Sequence, residues 1–116
     1  MADDLMTSGD QPGGWPPGSL VVWATVQVRE DVVEEFLAGI ADDARCSVRD
    51  EEGCLGFTVT RDAADPLRFH FHEVYASREA FEVDHQGSAH FARWDEVSQR
   101  TVIRTDVVLS EVVALP

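Results

Sequence analysis

CLGFTVTRD (Cys54–Asp62), AADP (Ala63–Pro66) and LRFHFHEVYA (Leu67–Ala76) follow one another through the middle of the chain. Leu55, Phe57 and Val59 alternate on one face of the first stretch, the period of a half-buried strand, and the third stretch is rich in aromatic residues. The short Pro-containing turn between them predicts an antiparallel hairpin. Upstream, LVVWATVQV (Leu20–Val28) is β-branched and aromatic and reads as another strand. A helix is predicted from Asp31 to about Arg49. Asp31-x-x-Glu34 fits a capping box, and Val33, Phe36, Leu37, Ile40, Ala44 and Val48 recur at three and four. Asp50-Glu51-Glu52-Gly53 ends it, with Gly53 able to take positive φ. Downstream, Ser77 is expected to cap a short helix from Arg78 to about Asp84. Gln86-Gly87-Ser88 interrupts it, and Ser88 caps a second piece from Ala89 to about Gln99, with Phe91, Trp94 and Val97 as its buried edge. TDVVLSEVVAL (Thr105–Leu115) reads as the closing strand.

The predicted order is β-α-β-β-α-β, an α+β ferredoxin-like domain with a four-stranded antiparallel sheet and helices on one face. Both faces of its strands are apolar. Val21 and Trp23 point one way while Val22, Ala24, Val26 and Val28 point the other. On the last strand, Val107, Leu109 and Val113 alternate with Val108 and Val112. An antiparallel sheet facing water alternates with outward polar residues. A second cover is therefore expected, and a second copy of the chain is the simplest one: a homodimer packed sheet to sheet.

The 116 residues carry 22 carboxylates, nine arginines and no lysine, for a formal net charge of −13. That charge argues against nucleic acid or an anionic membrane as partner, because phosphate recognition draws on clustered cations. Residues 1–19, rich in Pro, Gly and Asp, read as a flexible tail in which Trp15 is the one residue suited to docking, and residues 20–116 as a single domain. No run of apolar residues approaches a membrane span, and the N-terminus lacks the basic and apolar regions of a signal peptide. Two cysteines, Cys46 and Cys54, are too few for a disulfide framework, so a cytoplasmic setting is expected.

Four stretches together carry a resemblance: EDVVEEF in the first helix, EEGCLGF (Glu51–Phe57), RFHFHEVYAS (Arg68–Ser77), and His85-x-x-x-x-His90-Phe91. From Leu20 to Leu115 the chain resembles the antibiotic biosynthesis monooxygenase family of dimeric α+β barrels. The resemblance implies a cavity between sheet and helices in each protomer. It implies no flavin or metal, and a small aromatic, phenolic or quinol-like substrate that reacts with O2. Glu73 and Tyr75 match the family's E-x-aromatic pair, and His85 and His90 its histidines around the helix break. One residue more separates Tyr75 from His85 than is usual, which on an α-helix turns a side chain by about 100°. Phe71 stands where the antibiotic-tailoring branch has an Asn, and Val26 where the haem-degrading branch has one.

Oxygenation without a cofactor needs a base tuned near neutral pH, a donor for the developing anion, and apolar walls. His85 is the leading candidate base. His90, in the first turn of its helix, suits a neutral hydrogen-bonding role. Glu73 lies among aromatics and must either find a partner such as Arg45 or shift toward protonation. These three are the candidate catalytic residues, and Trp23, Phe57, Phe71, Tyr75, Phe91 and Trp94 the candidate substrate-binding rings. His70-x-His72 offers two imidazoles on the opposite face, but a metal site wants three or four ligands, so no metal is expected. Two other functions need the same fold. An isomerase of a small phosphorylated carbonyl compound would want convergent arginines, and a non-catalytic ligand-binding domain would have an aromatic cavity without a titratable group in reach.

Overall fold

The computed structural model describes residues 14–114. Strands β1 (Leu20–Val28), β2 (Cys54–Arg61), β3 (Arg68–Tyr75) and β4 (Val102–Glu111) form one sheet in the order β2-β3-β1-β4. β1 pairs antiparallel with both β3 and β4, and β2 pairs antiparallel with β3. Helices α1 (Val33–Asp50) and α2 (Ala89–Thr101) connect them, so the chain has the expected α+β ferredoxin-like architecture. The β2–β3 turn is held by side chains: Asp62 Oδ2 accepts the Ala64 and Asp65 N–H groups, and Asp65 Oδ1 accepts that of Leu67. Among the described residues, no helix is long and apolar enough to cross a membrane.

The helix-facing side of the sheet buries Ala24, Val26, Val28, Phe69 and Phe71 against Phe36 and Ile40 of α1. Phe36 is fully buried, its ring 4.7 Å from Phe69 and 5.8 Å from Trp94. A second cluster at the other end joins Leu20, Val22, Cys54, Tyr75 and Ala80.

Several local expectations are corrected. The capping box at Asp31 does not form: a 3-10 turn (Glu30–Val32) leads into α1, and no side chain caps either start. The buried face of α1 is also rotated from the apolar stripe. Its last two turns bury Asp43, Cys46 and Ser47, leaving Val48 52% exposed, because that half of the helix faces a polar site rather than the core. Gly53 is absent from the positive-φ residues. Its value is spatial, since a Cβ there would stand 2.6 Å from the Ala80 side chain, so glycine lets the two segments touch. α2 runs on to Thr101 and β4 begins at once at Val102, three residues before the predicted start.

Most of the predicted tail lies outside the described residues. Of the remainder, Trp15 rests against β2, its ring 3.5 Å from where a Cβ of Gly56 would project. By register, that is the outer face shared with Val74 and Val21, and both of those residues are buried. Further along the same face, Trp23 is 50% exposed and its neighbour Val108 62%.

Candidate active site

Between the sheet and the two helices lies a cavity of about 220 Å³. Its floor is Val22, Ala24 and Val26 of β1 with Phe71 and Glu73 of β3, and its walls include Phe57, Phe81, Phe91 and Trp94. The strand period explains the floor, because alternate residues of β1 and β3 face the helices. The same period sends Trp23 to the outer face, where it donates to Ser110 Oγ and packs edge-on against His72. Trp23 is therefore not a residue of this cavity. Tyr75 stands beside it rather than in its lining, fully buried in the second cluster with its ring 5.2 Å from that of His85.

His85 arrives through an unusual element. Ala80–His85 forms a π-helical turn rather than the expected α-helix. Its mark is the bond from Gln86 N–H to Phe81 O, spanning five residues, and Gly87 N–H returns to Val83 O. A π-turn is a way of absorbing one inserted residue without disturbing what lies on either side. His85 points inward from this turn, only 2% exposed. Both serines do as expected at this break. Ser77 Oγ accepts the Ala80 N–H, while Ser88 Oγ accepts that of Phe91 and donates to His85 O.

Around His85 the side chains converge. Its Nδ1 lies 2.9 Å from Glu51 Oε2 and 3.3 Å from Ser47 Oγ, while Ser47 donates to Asp43 O. The other nitrogen, Nε2, is 3.8 Å from Asp43 Oδ2. Asp43 and His85 both line the cavity. His90 lies behind, its Nε2 bonded to the same Glu51 Oε2. Glu51 therefore accepts from both rings. A histidine that donates Nδ1–H to a carboxylate presents an unprotonated Nε2, the tautomer a general base requires. The rings of Phe91, Phe81 and Phe57 enclose the imidazole. This desolvation pulls the His85 pKa below the usual histidine value, against the raising effect of Glu51.

The carboxylates carry the electrostatics. Asp43 is 1% exposed, and burial, reinforced by the charges of Glu73 and Glu51, pushes it up to about 8. Glu73 receives the Tyr75 hydroxyl at 2.6 Å. Burial pushes it up to about 7, with Tyr75 pulling the other way. The expected partner Arg45 is not there; it lies on the exposed side of α1, 3.9 Å from Asp42. Among the described residues, no arginine lines the cavity. The Cys54 thiol, pushed up to about 12 by burial, is inert at neutral pH, and Cys46 and Cys54 are both free.

Of the sequence candidates, the fold brings His85, Glu73, Phe57, Phe71, Phe91 and Trp94 to the cavity, with His90 and Tyr75 just behind. Sequence reasoning missed Asp43, Ser47 and Glu51. A signal for the first two existed: they follow Phe36 and Ile40 at helical spacing, so the polar residues continue the buried stripe.

Comparisons with known proteins agree with this architecture. The sequence profile of a family described as antibiotic biosynthesis monooxygenase matches residues 19–97. No curated protein matches the chain in sequence. Among solved structures, a provisionally named antibiotic biosynthesis monooxygenase of Nitrosomonas europaea is similar at TM-score 0.77 and 23% identity, over 84% of this chain and 93% of that one. One of Caulobacter crescentus, also provisionally named so, is similar at TM-score 0.73 and 26% identity, over 86% and 92%. A conserved protein of Methanosarcina mazei shares the fold at TM-score 0.72 and 20% identity, over 79% and 90%.

Proposed function

Because this chain belongs to the antibiotic biosynthesis monooxygenase family, we propose that it oxygenates a small, uncharged phenolic, quinol or polyketide-like aromatic substrate with O2, using no cofactor and His85 as base. The observation that carries the reading is the Glu51–His85 pair at 2.9 Å, with His85 itself lining an aromatic cavity. The substrate loses a proton to Nε2 and becomes an electron-rich anion. That anion passes one electron to O2, and the resulting radical pair combines as a peroxide. Loss of water from the peroxide leaves a carbonyl where a CH2 stood. One oxygen atom then ends in product and the other in water, with the substrate supplying all four electrons.

The walls bear on the substrate. A cavity of about 220 Å³ is small for a ligand site, which commonly runs ~300–1,000 Å³, and suits one compact ring system. Its ionisable groups are the carboxyls of Asp43 and Glu73 and the imidazole of His85, with no arginine among them, so a phosphate or carboxylate would find no fixed cation there. This disfavours the isomerase of a phosphorylated compound. The arginines nearest in sequence, Arg78 and Arg93, are bonded to Glu82 and Asp42. A purely ligand-binding domain is disfavoured by the titratable groups lining the cavity. Oxygen-electrode measurements with a panel of hydroquinones and naphthols test the proposal. Uptake is expected with electron-rich members; tight binding without uptake across the panel would overturn it.

The reading includes a homodimer. Trp23 and Val108 stand exposed on the outer face of a sheet whose helices cover only the other side. Sedimentation velocity at micromolar concentration is expected to give twice the chain mass of 12.8 kDa, and monomer alone would refute this part.

A further inference from the structure

We infer that Asp43, His85 and His90 form a binding site for a divalent first-row transition ion in the wall of the cavity. One carboxylate oxygen of Asp43 and one ring nitrogen from each histidine lie within 4.8 Å of one another, and all three residues are buried. Zinc bonds of about 2.0–2.2 Å place tetrahedral donors roughly 3.3 Å apart. The His85 Nε2–Asp43 Oδ2 separation is already 3.8 Å, so modest side-chain rotation closes the set.

Two further observations point to a cation. Asp43 Oδ1 and Glu51 Oε1 are buried without any hydrogen-bond partner. Buried polar atoms are nearly always satisfied, and an ion on Asp43 supplies what the protein does not. Second, Glu51 takes the Nδ1 of His85 and leaves Nε2 for a metal. This is the carboxylate–histidine–metal relay that orients ligands in established sites. Two imidazoles and one carboxylate suit zinc, iron, cobalt or manganese. Since Asp43 and His85 line the cavity, the ion's open position faces it. The outer-face histidines are otherwise engaged. His70 bonds Asp62 and Thr25, and His72 packs on Trp23.

The ion takes the same Nε2 lone pair that the oxygenation reading gives to the substrate proton, so loading and cofactor-free turnover exclude each other. Binding itself does not depend on that reading. The experiment titrates Zn2+ into chelator-treated, full-length protein by calorimetry, with Co2+ absorption as a second readout. We expect one ion per chain and a visible Co2+ band of four- or five-coordinate type. Asp43→Asn, which keeps the side chain's shape, and His90→Gln each weaken binding at least about tenfold, while His70→Asn leaves it unchanged. A Kd weaker than about 0.1 mM would overturn the site. So would binding that survives Asp43→Asn but is lost with His70→Asn. Failure here leaves oxygen uptake untouched, and failure of uptake leaves zinc binding untouched.

Discussion

His85→Ala is expected to lower kcat for oxygen uptake by about 10²–10⁴-fold, the usual contribution of a positioned general base, with little change in KM. The size follows from the lack of a substitute. His90 Nε2 is committed to Glu51, and His90 does not line the cavity. Glu73, which does, has its carboxyl engaged by the Tyr75 hydroxyl at 2.6 Å. The truncation leaves a hole of imidazole size among Phe57, Phe81 and Phe91. Imidazole added to the buffer should therefore restore part of the rate. Rescue separates a chemical role from a structural one, because a residue that only sealed the π-turn would not be replaced by a free ring. Unchanged turnover in the variant would move the role of base elsewhere.

Glu73→Gln changes the pH dependence of stability. In the fold, the Glu73 carboxyl is pushed up to about 7 from 4.5, burial being the main cause. Below pH 4.5 the group is protonated in both folded and unfolded chains and costs nothing. Between 4.5 and 7 the unfolded chain releases its proton while the folded one retains it, so unfolding gains. This one group therefore removes about 3 kcal/mol of stability as pH rises through that window, and the loss levels off above pH 7. Half-buried Asp62, held below the usual carboxylate range by His70 and backbone amides, works in the opposite sense in the same protein. The difference between wild type and variant reports Glu73 together with its effect on Asp43, whose carboxyl its charge helps to raise. Urea unfolding should find Glu73→Gln gaining on wild type steadily from pH 4.5 to 7, with a constant gap beyond. Parallel pH profiles would show that the Glu73 carboxyl ionises as freely in the fold as out of it.

The hairpin was legible because period-two alternation and a Pro-bearing turn both survive in one dimension, and β1 declared its faces in the same way. The site was legible where its residues have rings, and at Glu73, which the strand period sets among aromatic residues. Asp43 and Ser47 continue the buried face of α1, but a helical aspartate reads as solvent-facing unless something shows what it meets. Glu51 lay in the quoted EEGCLGF motif and read as helix-ending punctuation, whereas its carboxylate joins two histidines brought in from more than thirty residues away. The π-turn leaves no periodic trace. Sequence spacing left the direction of His85 open, and only the five-residue bond at Phe81 shows the turn from which the imidazole points inward. The α2–β4 boundary was missed because no breaker separates Thr101 from Val102, and tertiary pairing with β1 decides where the strand starts.

On the proposed function, the chamber facing His85 inserts one oxygen atom from O2 into an aromatic substrate. Turnover of an active naphthol or hydroquinone under 18O2 tests it most directly, with mass spectrometry of product and solvent water. One labelled atom is expected in the product and one in water, with no accumulation of hydrogen peroxide. Unlabelled product, or oxygen recovered wholly as peroxide, would contradict it.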